Sequence, residues 1–162
     1  MGEPVRPVLF LDVDGPLLPF GGAPARGPFP ERGNPLLDRL DPTLGPRLLA
    51  LGCELVWATT WLDEANDTVS PRIGLPTLPV VRWPDEAVTT GMPRGLHWKT
   101  SLLSEWAGHR PFVWLDDEIG PMDELWIAAA HPAPALPHRV DPARGLTGED
   151  FAVVGEWLRL HR

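Results

Sequence analysis

The chain has no tyrosine, a single cysteine and a single lysine among its 162 residues. One cysteine excludes an internal disulfide framework, and Cys53, set among apolar neighbours, reads as a small core residue rather than a nucleophile. No stretch approaches the ~18 consecutive apolar residues of a membrane span, and the opening Met1-Gly2-Glu3-Pro4 lacks the basic region of a secretory leader. A soluble, cytoplasmic protein is the expectation. Positive charge is also scarce: 14 basic residues against 22 acidic ones give a formal charge of −8, so the surface as a whole does not attract nucleic acid or anionic lipid. Zinc is excluded as well, because no His/Cys ligand spacing is present. No internal repeat and no second domain are visible.

What is present fits one domain over residues 1–162, a length that buries a full core. Proline (21) and tryptophan (8) are abundant, and every basic residue but one is arginine, which reads as a bias acting wherever residue identity is free. Lys99 escapes that bias. An ammonium is a compact point charge where a guanidinium is a planar fork, so a site needing the former keeps lysine.

Strand and helix signals alternate, which predicts a parallel sheet covered on both faces, a three-layer, doubly wound α/β fold of about five strands. Strands are expected at 7–13, 54–58, 79–83, 112–115 and 136–140, the last an edge strand because of Pro137. Helices are expected before Gly52, over 61–69 with a stop at Ser70-Pro71, over 100–107, over 122–130, and after Thr147, whose pairing with Asp150 resembles a capping box. The Pro/Gly-rich segment 16–34 and the polar segment 84–98 read as flexible loops.

The densest signal is Val8-Leu9-Phe10-Leu11-Asp12-Val13-Asp14-Gly15. Strand side chains alternate, so Asp12 and Asp14 point the same way while Val13 points into the core. Carboxylates that close are costly unless a cation lies between them or one holds a proton, and either outcome is chemistry. Open α/β sheets place their sites at the carboxyl ends of the strands. There the second strand ends in Thr59-Thr60 and the fourth in Asp116-Asp117-Glu118, with Lys99 opening the helix between them.

This order of motifs, spanning residues 8 to 117, resembles the haloacid dehalogenase-like (HAD) superfamily of aspartate phosphohydrolases. Leu55-Val56-Trp57-Ala58-Thr59-Thr60-Trp61 and Trp114-Leu115-Asp116-Asp117-Glu118 are similar to the small HAD domains of Swiss Army Knife RNA repair proteins. The resemblance implies a magnesium-dependent phosphomonoesterase, with Asp12 as the nucleophile that carries an aspartyl phosphate and Asp14 as general acid and base. It implies Mg2+ held by Asp12, the Asp14 backbone carbonyl and Asp116, with Asp117 at or near the metal. Thr59 or Thr60 would bind the phosphoryl oxygens, and Lys99 would offset their charge. Neither intervening segment is long enough for the cap domain common in the superfamily. An open site suits a phosphorylated macromolecule, a nucleic-acid end or a protein, with Arg26, Arg32 and Arg94 as candidate phosphate contacts.

Glu118 and Asp123 read as solvent-facing or as outer support of the metal, and His97, His109, His131, His138 and His161 as surface residues. Most tryptophans read as core, with Trp83 and Trp98 kept as residues beside the site. A two-component receiver domain is excluded by motif order, since here the Asp pair follows the lysine. A metal-dependent nuclease on Asp12, Asp14, Asp116 and Asp117, and a catalytically silent HAD-fold binding module, are the alternatives.

Overall fold

Val8-Leu9-Phe10-Leu11 is apolar at every position because both of its faces are covered, which is the pattern of a central parallel strand. In the computed structural model, which describes residues 5–20, 35–85 and 91–161, this run is strand β1. It pairs in parallel with β2 (Glu54–Trp57) on one side and with β3 (Phe112–Asp116) on the other; β3 also pairs with β4 (Ala135–Arg139). The sheet order is β2-β1-β3-β4. Leu11 stands opposite both Trp57 and Leu115, so three strands end level with one another. The connections diverge around β1, and the crevice that such a reversal opens lies at these ends.

Alternate residues serve opposite faces. Leu9, Leu11, Leu55, Trp57, Val113 and Leu115 pack with α1 (Leu44–Leu49), α2 (Ser70–Ile73) and α5 (Gly148–Leu160) through Leu48, Ile73, Val154 and Leu158. Val8, Phe10, Val56, Phe112 and Trp114 pack with α3 (Thr100–Ala107) and α4 (Pro121–Ala130) through Leu103, Ala107 and Ile127. The three-layer α/β fold is therefore as the sequence predicts. The expected capping box also forms: Thr147 accepts from the Asp150 N–H, and the Asp150 carboxylate accepts from the Thr147 N–H at 2.8 Å. Asp150 accepts a further bond from His138 at 2.7 Å, which ties α5 to the edge strand.

Two elements differ from expectation. Residues 79–83 do not form a fifth strand; they touch the sheet at one bridge, Trp57 to Val80, through Trp57 N–H to Pro79 O and Val81 N–H to Trp57 O. Pro76, Pro79 and Pro84 have no N–H to extend a ladder, so the sheet has four strands. The helix expected over 61–69 begins as a wide turn at Ala65–Val69 and runs on through Pro71 into α2. Pro71 sits in the first turn of α2, where a missing donor costs little, and Gly74 at φ 81° ends the helix instead.

Asn66, inside that wide turn, does the work that the missing ladder would have done. Its Oδ1 accepts from Trp57 Nε1 and from the Leu78 N–H, both at 2.9 Å, while its Nδ2 donates to Leu78 O at 2.8 Å. Asn66→Ala would leave the indole N–H of fully buried Trp57 without its acceptor. Urea unfolding is expected to show a loss of about 2 kcal/mol, the cost of a buried donor left unmade; no change would mean the asparagine is not holding this segment.

His131 is buried rather than superficial. It donates to Arg110 O and accepts from the Ser104 hydroxyl, each at 2.8 Å, joining the ends of α3 and α4. Among the described residues no helix is long and apolar enough to cross a membrane.

Candidate active site

The chain leaves β1 at Asp12, whose N–H still donates to Leu115 O. Asp12 is buried, only 7% exposed as a residue, and its side chain accepts from the Val13 N–H at 2.8 Å. A tight turn follows, closed by Gly15 N–H to Leu18 O, with Gly15 at φ 98°. Any Cβ at Gly15 would lie 2.8 Å from Cβ and Cγ of Asp117, so glycine is required both by the backbone and by the carboxylate behind it.

The level ends of β1 and β3 bring Asp12, Asp116 and Asp117 together, each offering a ligand oxygen within 4.8 Å of the others. Asp14 opens onto the same cleft, as expected, but its carboxylate is not one of that close set; it is exposed and accepts from Trp61 Nε1 at 3.1 Å. Lys99 is not a solvated residue at the start of a helix. It is buried, and its Nζ donates to Asp116 at 2.9 Å and to Ala58 O at 3.1 Å, and lies 3.5 Å from Asp12.

Burial pushes the Asp12 carboxyl up to about 7; Lys99 opposes this, Asp116 adds to it, and bonds from Val13 and Thr59 oppose it further. Burial, then the neighbouring Asp116, carries Asp117 up to about 6. For Lys99 burial pushes downward, but Asp12 and Asp116 overcome it and hold the ammonium above its ordinary value. Asp12, Asp116 and Asp117 resist ionising together and offer oxygen ligands, a set that fits a hard divalent cation.

The two threonines divide. Thr59 is fully buried, lowers the Asp12 carboxyl through its hydroxyl and accepts from the Trp61 N–H at 3.2 Å. Thr60 is exposed and lines the cleft. The cleft holds about 150 Å³, and Phe20, His97, Trp98 and Glu118 complete its wall beside the catalytic candidates.

Three further residues shape this site beyond what the sequence predicts for them. His97 lines the cleft rather than the outer surface: its Nδ1 accepts from the Lys99 N–H, which leaves Nε2 to donate to Glu118 at 2.6 Å. Asp123 is buried, which removes the solvent-facing alternative and leaves that of support from outside the acidic cluster, and it accepts from the His97 N–H, the Thr100 hydroxyl and the Gly120 N–H. It clamps the segment carrying Lys99 to the start of α4, just past Asp116 and Asp117. Trp61 packs on the core yet holds Asp14. The only signal for Asp123 was its place three residues after Gly120, where a carboxylate satisfies helix-start donors. Glu118 is exposed, as expected, while Arg94 is exposed and Arg26 and Arg32 lie outside the described residues.

A doubly wound parallel sheet that gathers Asp12, Asp14, Lys99, Asp116 and Asp117 at its carboxyl edge defines a HAD-type protein. The chain belongs to the family described as the HAD domain in Swiss Army Knife RNA repair proteins, whose family model matches residues 8–151. Comparison with curated proteins and with solved structures gave no match. Family membership supports phosphohydrolase chemistry at the level of the superfamily.

Proposed function

We propose that the protein is a magnesium-dependent phosphomonoesterase that works through an aspartyl phosphate on Asp12. The observation that carries this reading is the contact set of Lys99, a buried ammonium between Asp12 and Asp116 at the wall of a solvent-open cleft. Asp12, Asp116 and Asp117 are the carboxylates that would hold the ion, which when bound supplies positive charge to the phosphoryl oxygens.

A carboxylate oxygen of Asp12 attacks phosphorus, and the bond from phosphorus to the leaving oxygen breaks. Asp14, in its protonated form, gives its proton to that oxygen. Ionised Asp14 then takes a proton from water as the water attacks the aspartyl phosphate, releasing inorganic phosphate and restoring both groups. Lys99 offsets negative charge as it accumulates in line with Asp12. The position of Thr60 in the cleft favours it for the phosphoryl oxygens, and the full burial of Thr59 favours an orienting role.

Among the described residues, the connection between β1 and β2 holds one helical turn and α1, and that between β2 and α3 holds the wide turn and α2. The described residues of the two connections form no further layer over the cleft, which favours a leaving group that extends outward, such as a phosphorylated nucleic-acid end. The test is phosphate release from p-nitrophenyl phosphate and from 3′- and 5′-phosphorylated oligonucleotides, with magnesium and with chelator. Release is expected with magnesium and should fall at least about a hundredfold in chelator. Cleavage inside unphosphorylated oligonucleotides would establish a nuclease instead, and silence on every substrate would overturn the enzymatic reading.

A further inference from the structure

We propose that the cleft selects phosphate monoesters whose leaving group carries a flat aromatic ring, held on Trp98 and Phe20. The inference rests on the phosphomonoesterase reading and specifies its substrate class. It starts from what the cleft can offer beyond the phosphoryl position. Of the charged side chains that line it, Asp12, Asp14, Asp117 and Glu118 are acidic and Lys99 alone is basic among the described residues. Lys99 is already taken by Asp116 and Asp12, and Glu118 is paired with His97. Among the described residues no cation on this wall is left to meet the leaving group.

Ring surface is what remains. Phe20 lines the cleft and is 43% exposed there, a large apolar ring face open to it. Trp98 lines the same cleft and is fixed from behind: Trp83 meets it edge-on with centroids 4.8 Å apart, and His97 lies beside it at 5.5 Å. Trp83 is anchored in turn by its Nε1 bond to Thr59 O at 3.0 Å. The Lys99 ammonium lies 5.7 Å from the Trp98 ring centroid, so the indole adjoins the phosphoryl position. At about 150 Å³ the cleft is smaller than the ~300 Å³ at which pockets begin to enclose a whole drug-sized ligand. It takes in the phosphoryl group, and the next group must lie against these rings.

The test compares two inert probes, phenylphosphonate and methylphosphonate, by calorimetric titration with magnesium present. The wild type is expected to bind the phenyl compound about tenfold more tightly, as aromatic stacking commonly gives. Trp98→Leu is expected to bring that ratio toward one, and Phe20→Leu, at an exposed position that cannot affect folding much, to lower it in the same direction. Equal affinities in the wild type, or a ratio that neither variant moves, would overturn the proposal. Because the readout is binding, it stands apart from turnover: a protein that prefers the ring but releases no phosphate would refute the phosphomonoesterase reading alone. Relative kcat/KM for nucleoside 3′- and 5′-monophosphates and for O-phosphotyrosine then identifies whether the ring is a nucleobase or a phenol. Glycerol phosphate turned over as well as both would count against ring selection.

Discussion

Asp12→Asn is expected to abolish phosphate release, by on the order of 10⁴-fold or more, while leaving the protein folded. The amide is isosteric and can still accept from the Val13 N–H, but it cannot form the acyl phosphate from which the second step proceeds. Its effect on stability is the sharper part of the prediction. Asp12 is a buried carboxylate facing the carboxylate of Asp116, so neutralising it removes a like-charge repulsion. Lys99 meanwhile keeps its shorter contact, 2.9 Å to Asp116. The two changes oppose one another, and the melting temperature should move by no more than the ~2–4 °C that about 1 kcal/mol causes in a chain of this size. An inactive, folded variant identifies the nucleophile; a fully active one would show that the reaction uses another group.

Lys99→Met reverses that balance, with a large loss of stability as the expected result. Two buried carboxylates would lose their cation together, and breaking a buried ion pair from one side typically costs about 3–5 kcal/mol. The pH dependence fixes the sign. Asp12 has a folded-state value of about 7, above its ordinary 3.8, so the folded protein holds a proton across that window that the unfolded chain has released. A carboxyl raised in this way lowers stability as pH rises from about 4 to 7. Lys99 limits that loss in the wild type, and the variant cannot. The gap between wild type and Lys99→Met, measured by urea unfolding without divalent metal, should therefore be widest above pH 7 and narrow toward pH 4. A gap independent of pH would mean that Lys99 acts through packing rather than charge.

The site was legible where chemistry coincides with a strand end. Asp12, Asp14, Thr59, Asp116 and Asp117 each follow an apolar run, and Lys99 stood out because the rest of the chain uses arginine. What could not be read is what depends on side chains folding back over a distance. Asn66 is a weak helix former in a helical pattern, which flags an oddity but not its bonds to Trp57 and Leu78. Val80-Val81 has strand composition, yet the flanking prolines deny it a ladder, so composition pointed one way and hydrogen-bonding capacity the other. Asp123 and His97 lie 26 residues apart in the chain, and no local pattern announces that one holds the backbone of the other.

The level register of β1, β2 and β3 also bears on how the molecule is made. Asp12 precedes β2 in the chain, whereas Lys99 and Asp116, its cation and its neighbour, follow it, and β3 is the strand that docks beside β1. Until β3 docks, Asp12 remains a hydrated, ordinary acid with no pocket around it. The carboxylate site therefore exists only once the segments carrying Lys99 and β3 have docked against β1.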